Sequence, residues 1–252
     1  MPIDEQRPLI GRAALVTGGA KRLGRAIALA LARAGADVVV HCRSSLSDAQ
    51  SLAQDIRALG RQAWVAQADL RDAAQAEALF ASASASAGGG LDILVNSASI
   101  FPKGRLDALD GAQLDDNIHV NALAPFVLGR ALARSRRGGC VVNLLDSRIM
   151  DYDAEHAAYH LSKRLLATLT RMMALEFAPR VRVNAVAPGL ILPPAGEDDG
   201  YLERLKRTNP LESHGGPEDV ADAVLFLTRS AFVTGQTLFV DGGRHMRGAV
   251  YG

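Results

Sequence analysis

A doubly wound α/β fold is predicted for this 252-residue chain by three observations. Short apolar runs alternate with longer Ala/Leu-rich stretches along nearly the whole length. The short runs are apolar at consecutive positions, as in Val38-Val39-Val40, which suits strands buried on both faces of a parallel sheet. A glycine-rich turn joins the first run to the first helical stretch. Units of this kind close through right-handed crossovers. They give a Rossmann fold, a seven-stranded parallel sheet with helices on both faces.

Strands are expected at 13–17, 37–41, 62–66, 92–96, 140–145, 181–187 and 237–240. Helices are expected at 23–33, 48–59, 72–85, 113–134, 155–178 and 218–228. Gly35 and Gly60 each stand between a helical stretch and the next strand, where a helix needs a C-terminal stop. The Ser/Ala/Gly run 82–90 reads as a frayed helix end and loop, because a strand pattern resumes at Leu91. One domain over residues 1–252 is the expectation.

Composition narrows the function classes. A net charge of +1 provides no global field for nucleic acid or an anionic membrane. The Arg134, Arg136 and Arg137 cluster reads as a solvated helix end. Cys42 and Cys140 give neither a disulfide framework nor a metal-ligand spacing, so no metal is expected and a reducing compartment fits. Residues 1–6 lack the pattern of a secretory signal, and no apolar run approaches the ~20 residues of a membrane span. A cytoplasmic protein acting on a small molecule is expected.

The first strand runs into Thr17-Gly18-Gly19-Ala20-Lys21-Arg22-Leu23-Gly24 and then a helix. In that context a glycine turn binds a dinucleotide. Gly18 makes the tight turn, Gly24 lets helix and strand pack closely, and backbone N–H groups meet the pyrophosphate. NAD-binding folds carry an acid near the end of the second strand for the ribose 2′-hydroxyl. Here that stretch reads Val40-His41-Cys42-Arg43-Ser44-Ser45, without one. Arg43 and the hydroxyls of Ser44 and Ser45, with Lys21 or Arg22 adding charge, suit a 2′-phosphate, so NADP(H) is expected over NAD; otherwise Arg43 is simply a surface residue. Asp69, followed by Leu70 after the third strand, suits the adenine amino group or a helix N-cap.

Tyr159 and Lys163 stand four residues apart on a predicted helix and so share a face. A nearby ammonium, joined by an oxidised nicotinamide, favours the phenolate. Bringing a phenol from pKa ~10 to neutrality takes about 4 kcal/mol.

The ordered set Thr17–Gly24, Asp69, Asn96-Ser97-Ala98-Ser99, Asn121, Tyr159, Lys163, Pro188-Gly189 and Val240–Gly243 resembles the short-chain dehydrogenase/reductase superfamily across nearly the whole chain. The resemblance implies that Lys163 also binds the nicotinamide ribose and that Asn121 supports a proton-relay water with it. It implies that Asn96, Ser97 and Ala98 line the cofactor, that Pro188, Gly189 and Leu190 lie beside the nicotinamide, and that the protein is a homotetramer. The tail 244–252 is a candidate to reach a neighbouring subunit's site.

Most members of that superfamily carry a serine thirteen residues before the tyrosine, where this chain has Asp146. Ser147 is adjacent but one place off register, so at a strand end it is expected to turn away. Most also have a glycine at Arg22 and an Asn at Ser97. These departures resemble the pteridine reductase branch, with its Lys21–Gly24 turn, Asp–Tyr–Lys triad and Ser99-Ile100-Phe101. The run Asp241–His245 resembles bacterial dihydrofolate/dihydromonapterin reductases.

The chemistry agrees with that branch. An ionised Asp146 repels the alkoxide of a ketone reduction but can help Tyr159 protonate a ring nitrogen. Phe101 offers an aromatic face to a flat heterocycle, and Arg22 reaches both cofactor phosphate and pterin. The alternatives are an Asp146 that only caps a turn and a Phe101 that only packs the core. The function expected is NADPH-dependent reduction of a pterin or dihydrofolate-type ring, with a carbonyl or 3-oxoacyl reductase as the rival. A non-catalytic NADP-sensing protein is the more distant one. Residues 190–210, mixing prolines, acids and Tyr201, are expected to form the substrate lid, although the usual Thr after Pro188-Gly189 is missing.

Overall fold

Consecutive apolar residues of each strand feed two different cores. Ala14, Val16, Val38 and Val40 enter one; Ala13, Leu15 and Val39 enter the other. The computed structural model describes residues 7–135, 137–151, 153–194, 196–198 and 200–246. Its strands are β1 (Ala13–Thr17), β2 (Asp37–Cys42), β3 (Ala63–Gln67), β4 (Ile93–Asn96), β5 (Gly139–Leu144), β6 (Val181–Pro188) and β7 (Thr237–Val240). They form one seven-stranded sheet, parallel throughout, in the order β3-β2-β1-β4-β5-β6-β7. The doubly wound class read from the sequence is the observed one.

The helices are α1 (Arg22–Arg33), α2 (Leu46–Ala58), α3 (Ala73–Ser86), α4 (Gly111–Ile118), α5 (Ala124–Arg134), α6 (Ala157–Glu176), α7 (Gly200–Leu205) and α8 (Pro217–Arg229). Ile27 and Leu31 of α1, Leu52 and Ile56 of α2 and Val224 of α8 fill one core. Leu79 of α3, Leu128 and Leu132 of α5 and Met173 of α6 fill the other. Both sheet faces are thereby removed from water, the main favourable term in such a fold.

One expectation is corrected. The stretch 113–134 is not one helix, because a π turn, His119–Leu123, separates α4 from α5. Pro125 opens α5 and has no N–H to give the carbonyl of residue 121, so the regular ladder breaks there. Residues 190–210, expected as the substrate lid, contain α7 and a 3-10 turn, Lys206–Thr208. Among the described residues no helix is long and apolar enough to cross a membrane.

β1 and β4 are neighbours, paired at Thr17 and Asn96. The chain winds outward from them in both directions, which opens a crevice beyond their carboxyl ends. Most of the candidate residues lie along that crevice.

Candidate active site

A cleft of about 420 Å³ occupies the crevice, within the range of small-ligand sites. Its inner wall is the glycine turn. Gly18 has φ +60°, and a Cβ there would stand 2.8 Å from the Ala98 Cα. At Gly24 a Cβ would stand 2.2 Å from the Gly18 carbonyl oxygen, so α1 approaches the turn as closely as backbone allows. The Ser97 and Ala98 N–H groups donate to Thr17 Oγ1 at 3.0 and 3.1 Å, fixing the facing wall. Arg22 holds a left-handed φ of +52°, a conformation costing a non-glycine residue about 1–2 kcal/mol. Its guanidinium donates to the Pro193 carbonyl at 2.6 Å, tying the turn to the segment that follows β6.

A hollow of about 240 Å³ continues past the turn, lined by Arg43, Ser44, Asp69 and Leu70. Lys21 borders both spaces but pairs with Asp48 of α2 at 3.0 Å. Asp69 is not the cap of α3. Asp72 is, accepting from the Ala74 and Gln75 N–H groups at 2.9 and 3.2 Å. The Asp69 carboxyl is held down at about 2, chiefly by hydrogen bonds from the Arg71 side chain.

His41, expected among the cofactor-binding residues, borders the hollow but is buried with both ring nitrogens engaged. The Gly18 N–H donates to its Nδ1 at 3.1 Å, so Nε2 carries the proton and donates to the Ala68 carbonyl at 3.1 Å. Burial keeps the ring neutral by lowering its pKa. It acts as a strut beneath the turn.

The reacting groups gather where β5 ends beside α6. The Tyr159 hydroxyl donates to Asp146 Oδ2 at 2.8 Å, while Asp146 Oδ1 accepts the Arg148 N–H at 2.8 Å. Asp146 therefore caps a turn with one oxygen and engages the phenol with the other. From the protein's own groups, burial, then the charge of Asp146 and its hydrogen bond, push Tyr159 well above its ordinary value; the expected lowering calls on the charge of an oxidised nicotinamide as well as on Lys163. Lys163 is buried, 5.7 Å from the Tyr159 ring centroid, and donates to the Leu144 carbonyl at 2.7 Å. Burial lowers its pKa to about 8, against the opposing pull of Asp146. The phenol is held as a proton donor.

Phe101 does not pack the core. It is 43% exposed on the cleft, stacked on His156 with centroids 3.8 Å apart and edge-on to Tyr159 at 4.6 Å. Asn121 is off the cleft wall. Its Oδ1 accepts the Ile100 N–H at 2.9 Å and its Nδ2 donates to the Ile100 carbonyl at 3.0 Å, clamping the segment that presents Phe101. Asn96 is likewise buried, donating to Asn143 Oδ1 at 2.8 Å, so its side chain does not line the cleft as expected. Ser97, Ala98, Ser99, Leu23, Pro188, Gly189 and Leu190 do line it.

A family model described as enoyl-(acyl carrier protein) reductase matches residues 18–245. An uncharacterized oxidoreductase of Mycobacterium tuberculosis is 38% identical over 242 residues, covering 92% of this chain and 91% of that protein. The chain belongs to the short-chain dehydrogenase/reductase superfamily. A 3-oxoacyl-[acyl-carrier-protein] reductase of Staphylococcus aureus is 33% identical, covering 93% and 98% of the two chains. The crystal structure of FolM alternative dihydrofolate reductase 1 from Brucella canis complexed with NADP superposes with a TM-score of 0.87 at 35% identity, over 94% of this chain and 96% of that one.

Set against that superfamily, the substitution of Asp146 for serine falls at the hydrogen bond to Tyr159 itself. Ser147 does not turn away from the cleft; it lines the wall although buried. Sequence reasoning missed His156 and Arg148. His156 lies three residues before Tyr159, one helical turn away, a spacing that would have put both on one face. Arg148 also lines the cleft but is paired with Asp153. The Asp153 carboxyl sits at about 2. Burial opposes that shift, but hydrogen bonds from His156 and the Glu155 N–H, then the charges of His156 and Arg148, outweigh it. The tail residues 247–252 lie outside the described residues.

Proposed function

We propose that this protein is an NADPH-dependent reductase of pterin or dihydrofolate-type rings. The observation that carries the reading is the carboxylate of Asp146 hydrogen-bonded to the Tyr159 hydroxyl at 2.8 Å, where a ketone reductase needs a neutral donor for an alkoxide. Phe101, with one face on His156, leaves the cleft side for a flat heterocycle. The Brucella canis protein, described as a dihydrofolate reductase, supports the same direction.

NADP(H) is the cofactor, and when bound it supplies the hydride. The residues fit it. Gly18 and Gly24 form a cradle that any side chain would fill, and Arg43 with Ser44 faces the adjoining hollow, where a 2′-phosphate is accommodated. Lys163 is placed to bind the nicotinamide ribose. In the reductive direction Tyr159 gives its proton to the ring nitrogen as the adjacent carbon is reduced. The carboxylate of Asp146 stabilises the positive charge that builds on that nitrogen, and the ammonium of Lys163 offsets the phenolate left behind. Because the Asn121 side chain is committed to Ile100, support of a relay water falls to its main-chain carbonyl, to which Pro125 offers no N–H.

The reading is tested by NADPH oxidation with dihydropterins, dihydrofolate and simple ketones. Faster oxidation with the ring substrates is expected. No acceleration with any of them overturns the reading, and turnover of ketones alone would favour the 3-oxoacyl reductase activity of the Staphylococcus aureus relative.

Two further results follow. Arg43→Ala is expected to raise KM for NADPH about 10–100-fold, the loss of one or two charged phosphate contacts, with little change for NADH. Equal effects on both cofactors would remove Arg43 from the 2′-phosphate site. The second concerns pH. Lys163 is cationic below its pKa of about 8 and neutral above it, so the charge that offsets the phenolate is lost as pH rises. The pH profile of kcat/KM should be level on the acid side of that value and fall roughly tenfold per pH unit beyond it. A profile level to pH ~10, the range of an unperturbed lysine, would show that the ammonium plays no such part.

A further inference from the structure

The cations of the cleft are mostly matched. Lys21 pairs with Asp48, Arg148 with Asp153, and Lys163 lies beside the reacting phenol. Arg22 and Arg43 border the glycine turn and the hollow where phosphates fit. Arg244 has no such match. It lines the cleft from the 3-10 turn Arg244–Met246 beyond β7, and its Nη1 donates to Thr208 Oγ1 of the lid at 3.1 Å. It pairs with no carboxylate among the described residues. Among the described residues the one acid on the cleft wall, Asp146, is engaged by Tyr159 and the Arg148 N–H.

Arg244 is also held in place. Buried Asp241 accepts the Gly243 N–H at 3.0 Å and the His245 N–H at 2.7 Å, on either side of it. The His245 ring stacks on Phe239 with centroids 3.9 Å apart. The backbone of Arg244 is thus fixed between two anchored neighbours. Its guanidinium keeps donors beyond the one given to Thr208, in the planar geometry that receives a carboxylate.

We propose that Arg244 forms an anion subsite at the lid side of the cleft, binding a carboxylate on the substrate's tail. Resting on the pterin reading above, it makes carboxylate-bearing, folate-type pterins the preferred substrates over pterins with neutral side chains. A surplus positive charge beside the lid favours such a tail and gives a neutral one nothing.

The test compares dihydrofolate with its uncharged α,γ-diamide and with 7,8-dihydrobiopterin, in the wild-type protein, Arg244→Gln and Arg244→Lys. In the wild type, kcat/KM for dihydrofolate should exceed that for the diamide about 10–100-fold, the value of a charged hydrogen-bonded contact. The ratio should fall to about 1 in Arg244→Gln and be partly kept in Arg244→Lys, with the loss residing in KM. NADPH binding by fluorescence reports that each variant is folded. Equal wild-type use of dihydrofolate and diamide, or an Arg244→Gln variant that keeps the wild-type ratio, overturns the subsite while the pterin reading stands. A wild-type protein that reduces none of the three overturns both.

Discussion

Tyr159→Phe is expected to lower turnover by about 10²–10⁴-fold, the contribution of a positioned general acid, while NADPH affinity changes by no more than a few-fold. The separation of the two effects follows from where the hydroxyl points. Among the described residues the hydroxyl makes one hydrogen bond, to Asp146, and the ring is held independently by Phe101 at 4.6 Å and by the ammonium of Lys163. Phenylalanine fills the same volume and keeps those contacts. What it removes is the proton and the donor to Asp146 Oδ2, an unmet acceptor costing about 1–3 kcal/mol of stability. The measurement is single-turnover NADPH oxidation alongside a fluorescence titration of the cofactor. Loss of NADPH binding in parallel with activity would make Tyr159 a structural residue.

The parts of the fold legible in sequence were those where one physical cause acts alone. Burial on both faces leaves the inner strands apolar at consecutive positions, and all seven strands were recognisable, with ends displaced by one residue at most. The break at 119–123 was hidden because the apolar spacing of α4 runs on into α5, and only Pro125 hinted that a carbonyl would go unpaired. Residue types conveyed which groups reach the cleft, but not which of them are already spent. Asn96 and Asn121 are polar residues in the expected region whose side-chain N–H groups are turned to Asn143 and Ile100. His41 serves the Gly18 and Ala68 backbone in the same way. The upward shift that the protein's own groups give Tyr159 was hidden for a related reason. A Tyr–Lys spacing along a helix suggests an ammonium beside the phenol, whereas the nearer charge belongs to a residue thirteen positions upstream at the end of another element.

That nearer charge decides the chemistry, and Asp146→Asn isolates it. Asparagine retains an oxygen to cap the turn by accepting the Arg148 N–H, so the fold at the end of β5 should persist. Only the negative charge goes. Two unit charges about 4 Å apart near a protein surface interact by roughly 4 kcal/mol, so a cation building on a ring nitrogen loses on the order of 10²–10³-fold in rate. An alkoxide building on a ketone oxygen gains instead, since the charge that repelled it is absent. Asp146→Ser should carry that gain further by placing a hydroxyl donor where most of the superfamily has one. The quantity to measure is the ratio of kcat/KM for a dihydropterin to that for a simple ketone, which cancels any shared loss of folded protein or cofactor binding. A ratio falling by about 10² or more in both variants assigns substrate class to this one carboxylate. An unchanged ratio would return Asp146 to the role of a turn cap and leave the ring preference to Phe101.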